Sequence, residues 1–236
     1  RIRTSATVSS PLSPGGGGPE IIALAPLCVQ YVSFPDGTVM KTNPNPQGKG
    51  LVPVLDAWQS LQPVAVAPKS APRLLGDYMV SLLVLSAEFS FKPVPGKPYY
   101  LYWREGNWQL SLISPAEWGP QHPGECLGEC QLGFDMTWHL IPQRETAFSA
   151  NLLHAIEQFT ALFSEQLASA ETLEDTLPFY VRQLPFYRRL SASGLAASLQ
   201  HSIRASDQLG HSGRVWLQRI SGELPQLLAN PAVAVS

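Results

Sequence analysis

Four side chains suited to metal or redox chemistry stand close together in HPGECLGECQLGFDMTWHL: His122, Cys126, Cys130 and His139. Imidazoles and thiolates are the donors that zinc prefers, and paired thiols can also cycle through a disulfide. The spacing argues against both. Cys-x3-Cys lacks the tight turn and the matched second pair of a structural zinc site. Read as a strand, residues 126–134 carry the two sulfurs on one face about 13 Å apart, at roughly 3.3 Å per residue, too far to share an ion. Structural cysteines are the simpler reading. A metal- or thiol-dependent enzyme or sensor on these four residues stays as the alternative.

A second candidate is basic. Arg182, Arg188 and Arg189, with Arg204 further along, make a strip in which Arg182 and Arg189 are seven residues apart and can share a face. Such a strip suits an anion or a membrane surface; pairing with acidic neighbours is the simpler use. Acidic neighbours are plentiful, because residues 105–175 hold eleven carboxylates against Arg144 alone, while the flanks on either side are net positive. The flanks are expected to neutralise this centre; the sharper reading is an acidic surface for a basic partner. Nucleic acid is disfavoured, since phosphate binding needs a basic face and the net charge is −2. Glu105, Glu117, Glu125, Glu129 and Asp135 fall on turns or outward positions, so none can be assigned an acid–base role without a pocket. PQGKGL lacks the remaining glycine, the Ser or Thr, and the strand–helix frame of a phosphate loop. Nucleophile-elbow, zinc-protease, Cys-x-x-Cys and dinucleotide motifs are absent.

The whole composition is globular: 236 residues, 44% hydrophobic and 14% charged. Three cysteines, an odd number, fit a reducing compartment better than a disulfide framework, and no apolar run spans a membrane, so cytoplasm is the default. Residues 1–39 open Ser/Pro/Gly-rich and are expected to be a disordered or non-native extension, with Met40 as a natural start, although Asp36-Gly37 could turn a hairpin. Residues 40–72 read as a Pro-rich extended lead-in, 73–210 as one α+β domain, and 211–236 as a weakly ordered tail with one short helix near 215–228.

The elements that must position these residues are periodic. RLLGDYMVSLLVLSAEF carries apolar residues at helical spacing and predicts an amphipathic helix over 73–90. YYLYWREGNWQL predicts a hairpin with Trp103 opposite Trp108, Leu101 opposite Leu110 and Tyr99 opposite Leu112. That register buries Tyr99 and Trp103 and leaves Tyr100 and Tyr102 on the other face as candidate ligand or partner contacts. Ser114-Pro115-Ala116-Glu117 is a capping box for a short helix, stapled by Trp118. A second hairpin is expected with loop Asp135-Met136-Thr137, setting Phe134 against Trp138 and Leu132 against Leu140, and His139 on the open face. Leu152, Ile156, Phe159, Phe163 and Leu167 predict a helix within 145–169. The repeated Leu-Pro-Phe-Tyr at 177–180 and 184–187 predicts an aromatic clamp, followed by a helix over about 185–207.

The order NPNPQGKGLVPVLD, KPYYLYWREGNWQLSLISPAEWG, LGECQLGFDMTWHL and LPFYRRLSASGLAASL resembles an uncharacterised proteobacterial family, a domain of unknown function. Its LY…G…S.LSP.EWG centre also resembles a small animal protein with no established role. The resemblance spans about 43–205. It implies no activity, cofactor or catalytic residue, and it implies that 1–39 and the last twenty or so residues lie outside the shared domain. The expected molecule is therefore α+β: a four-stranded antiparallel β-meander, an N-terminal helix, and two or three C-terminal helices over its apolar face. The expected function is a non-enzymatic cytoplasmic binding or scaffold protein with a protein partner or a second copy of itself, and no cofactor. An anion-binding module on Arg182, Arg188 and Arg189 is the second alternative.

Overall fold

APRLLGDYMVSLLVLS, expected to be amphipathic, holds only two charges, Arg73 and Asp77, and is apolar nearly all round; a helix of that kind is stable only when surrounded. In the computed structural model it forms α1, Ala71–Ser86, with buried residues all around it. The described residues are 56, 58–119, 123–143, 148–179, 181 and 183–219. The expectations for 1–39, for PQGKGL and for the chain past 219 lie outside them. Pro72 sits in the first turn of α1, where its missing N–H costs nothing. The helix stops at Ser86, short of the expected 90, because the sheet captures the next residues. Glu88 N donates to Trp108 O and Leu110 N donates to Glu88 O. Phe91 is thereby freed to stack on Tyr99, ring centroids 5.4 Å apart.

The sheet has the four antiparallel strands expected: β1 Pro98–Arg104, β2 Asn107–Ser111, β3 Glu125–Leu132 and β4 Trp138–Pro142. Trp103 pairs with Trp108 and Leu101 with Leu110, the register predicted. Glu105 and Gly106 both take positive φ, 49° and 93°, which is the backbone of a two-residue hairpin whose twist matches its strands. The strand order is β2-β1-β3-β4. Thus β3 lies beside β1, where a simple meander would put it beside β2, and the chain from Ser111 to Glu125 has to cross β1. That crossing carries α2, Pro115–Trp118, with the predicted capping box between Ser114 and Glu117. It also moves Leu112 off the strand into an exposed position instead of opposite Tyr99.

The second hairpin differs from expectation by two residues. Leu132 pairs with Trp138 and Cys130 with Leu140. A shift of two keeps every side chain on its face, so Leu132, Trp138 and Leu140 are still buried. The turn lengthens to Gly133–Thr137, Met136 enters the core in place of Phe134, and Phe134 is left 65% exposed. Asp135 holds this turn, because its Oδ1 accepts from both the N–H and the hydroxyl of Thr137.

The C-terminal part supplies α3 Ala150–Ser169, α4 Phe186–Ala205 and α5 Gly213–Arg219. Leu152, Phe159, Phe163 and Leu167 are buried, and Ala155 takes the place predicted for Ile156, which is half-buried. Helix α1 touches β2 and β4 and also α3, α4 and α5. It is thus the middle layer, and the C-terminal helices meet the sheet mainly through it. In the Leu-Pro-Phe-Tyr repeat the anchors are Leu177 and Leu184, both buried, while Phe186 is exposed. The repeat clamps by its leucines more than by its rings.

Candidate functional site

The two faces of the sheet are built differently. Tyr99, Leu101, Leu110, Cys130, Leu132, Trp138 and Leu140 belong to the apolar core. On the opposite face a cross-strand row runs Ser111, Tyr100, Glu129, Ile141, each residue directly paired with the next. Tyr100 and Glu129 are half-buried and Ile141 is 56% exposed. Burial, then the nearby charges of Glu129 and Glu117, push the Tyr100 phenol up from its ordinary value.

Alternation alone places Tyr102 beside Tyr100, in reach of a ligand. It lies on that face, but it is 0% exposed and its hydroxyl donates to Ile113 O at 2.9 Å. The β2-to-β3 crossing covers it, a consequence of strand order that residue alternation cannot reveal. Burial is also the main reason its phenol is raised.

Cys126 and Cys130 do not share the single face that alternation predicts for them. The β1–β3 register shifts between Leu101 and Tyr102, so Cys130 pairs with Tyr99 in the core and Cys126 pairs with Tyr102 on the open side. One bulged residue reverses the alternation. Burial pushes the Cys126 thiol up to about 11, against a hydrogen bond to Gly128 O, and raises Cys130 further. His139 pairs with Gln131, and His122 lies outside the described residues. Among the described residues no three His, Cys, Asp or Glu side chains converge as a metal would require.

Of the basic strip, Arg182 lies outside the described residues, while Arg188 and Arg189 begin α4. Arg188 Nη1 donates to Ala87 O at 2.9 Å, tying the start of α4 to the end of α1. Burial lowers its affinity for its proton, opposed by the charge of Glu88. Among the described ion pairs the flanking charges reach the acidic centre at two points, between the sequence neighbours Arg104 and Glu105, 3.9 Å apart on the surface, and between Lys69 and Asp135.

The Lys69–Asp135 pair belongs to a cluster that no motif or spacing in the sequence singles out. Lys69 Nζ donates to Asp77 Oδ2 at 2.5 Å and Asp135 Oδ2 at 2.7 Å, with Thr137 Oγ1 at 3.4 Å. Arg73 and His139 approach the other Asp77 oxygen, at 3.5 and 3.7 Å. The Lys69 and Asp77 side chains are 11% and 8% exposed. An ammonium has three donors, and all three are engaged. The backbone at Lys69 is held as well, exchanging hydrogen bonds with Ser206 Oγ. The cluster therefore fastens the lead-in, α1, the β3–β4 turn and the end of α4 together. Burial works to raise the Asp135 carboxyl, but the hydrogen bond and charge of Lys69, with the Thr137 donors, hold it below the usual value. The available signal was Asp77, a lone charge inside LLGDYMVSLLVLS, since a buried carboxylate needs a partner.

Fold and site define an α+β domain with a layered core and one sheet face outside it. Residues 67–160 match the family described as "Protein of unknown function (DUF2452)". The match begins beside Lys69, takes in α1 and the whole sheet with its SLISPAEWG crossing, and ends within α3. No solved structure matches the chain.

Proposed function

We propose that this domain is a non-enzymatic binding or scaffold module that docks a protein partner on the outer face of its sheet. The observation that carries this reading is the row Tyr100, Glu129, Ile141, which the described helices leave accessible while they enclose the opposite face. Leu112 and Ile113, both exposed, extend the row with apolar surface on the crossing. An aromatic ring, a carboxylate and exposed aliphatics on a rigid sheet suit recognition, where one fixed patch has to fit another. The rival readings draw on residues held apart or already engaged: Cys126 and Cys130 face opposite ways, and Arg188 is spent on Ala87.

No helix among the described residues is long and apolar enough to cross a membrane. Free Cys126 and Cys130 support a reducing, cytoplasmic setting. We further propose kinship with a proteobacterial family and with a small animal protein, on the resemblance carried by KPYYLYWREGNWQLSLISPAEWG, a stretch that lies inside the matched segment. Affinity capture from native lysate, run in parallel with wild type, Tyr100→Ala and Ile141→Asp, tests the function. A protein retained by wild type and lost by both variants is the expected result. Equal capture by all three, or none by any, overturns the assignment.

A further inference from the structure

We infer that the segment docking on this face is basic, with a Lys or Arg side chain laid over the Tyr100 ring beside Glu129. The inference rests on the docking role proposed above and adds the partner's chemistry. Charge complementarity carries it. Glu129 is directly paired with Tyr100, and Glu117 lies near enough for its charge to act on the same phenol. Neither carboxylate forms an ion pair with a Lys or Arg among the described residues, although Lys69 satisfies Asp77 and Asp135 elsewhere in the fold. The face thus combines an aromatic ring with the Glu129 carboxylate, which no cation neutralises among the described residues, and with the nearby Glu117 carboxylate, whose partners are the Ser114 N–H and hydroxyl of the capping box. A cation over such a ring gains from the ring quadrupole as well as from the carboxylates. Ile141, Leu112 and Ile113 around it would take the aliphatic stem and apolar neighbours of that side chain.

The test is fluorescence anisotropy of the full chain with three labelled peptides of equal length: alternating Lys and Leu, alternating Gln and Leu, and alternating Glu and Leu. Binding is read at near-physiological salt, with melting curves run on every variant. The Lys peptide should bind at least tenfold tighter than the other two. Glu129→Lys, Glu117→Lys and Tyr100→Ala should each weaken it tenfold or more. Glu157→Lys, the same charge reversal on the exposed face of α3, should change it less than twofold. Glu129→Lys on the sheet face keeps the test decisive if Tyr100→Ala folds poorly, and its melting curve separates it from Glu117→Lys, which also removes the capping box at Ser114. Equal loss in Glu157→Lys overturns the inference in favour of diffuse attraction to an acidic protein. Binding of the Gln or Glu peptide that equals the Lys peptide and disappears in Tyr100→Ala also overturns it, while the docking role survives. Absence of binding by all three overturns it as well, and leaves the docking role to be judged by the affinity capture.

Discussion

Lys69 is the single side chain on which the most structure converges. Removing its ammonium leaves Asp135 without its cation and Asp77 with only Arg73 and His139 nearby, at 3.5 and 3.7 Å. Breaking a buried pair from one side costs more than the pair is worth, because the surviving charge remains desolvated. Lys69→Ala should destabilise the protein by about 3 kcal/mol in urea unfolding. A loss under about 1 kcal/mol, on the scale of a surface pair, would show the cluster to be solvated. The same residues set a pH dependence. The folded Asp135 carboxyl lies below its unfolded value, so its contribution is complete above that value and is lost as pH falls through the folded one. The stability difference between wild type and Asp135→Asn should therefore hold near neutrality and shrink below about pH 4. A difference that grows on acidification would contradict the assigned direction.

At the level of elements, the β-bulge opposite Leu101 and Tyr102 decides which side each β3 side chain serves. In a Cys28→Ser background, iodoacetamide should modify half-buried Cys126 well before Cys130, and Cys130 only on the timescale of unfolding. Equal rates would mean that the bulge is not kept in solution. The range of the forces explains why some elements are legible in sequence and others are not. The Trp103–Trp108 hairpin is local: Glu105-Gly106 sets its turn, and alternation over five residues sets its register. The capping box at Ser114 is likewise complete within four residues. The β3–β4 register departs by two residues from the periodic expectation: Asp135 closes a longer turn on Thr137, and its other oxygen accepts from Lys69, 66 positions away in sequence, a contact that alternation cannot foresee. Alternation presents Tyr102 as open, but the β2-to-β3 crossing covers it, and crossings leave no periodic trace.

For the whole molecule, the layered arrangement makes the matched segment 67–160 dependent on the helices C-terminal to it. Leu195, Leu199, Ile203 and Trp216 share one apolar core with α1 and the sheet, and α1 touches both α4 and α5. A fragment of 67–160 alone would expose the side of α1 that those helices cover. It should bind a hydrophobic dye and melt without cooperativity, whereas 56–219 should melt in a single transition. A cooperative transition in the short fragment would show that α4 and α5 are dispensable for folding.

By itself, the sequence determined the fold class, the first hairpin and its buried face, the helical periods, and a centre rich in carboxylates. Each of these depends on contacts between near neighbours or on composition. Tertiary structure decided the strand order, the burial of Tyr102, the separation of Cys126 from Cys130, and the meeting of Lys69 with Asp77 and Asp135. It also decided that Tyr100, Glu129 and Ile141 form one row on an open face. Those outcomes depend on which distant strands pair and on where a crossing passes. Pairing is chosen by the burial free energy of the whole core, which no single stretch of residues encodes.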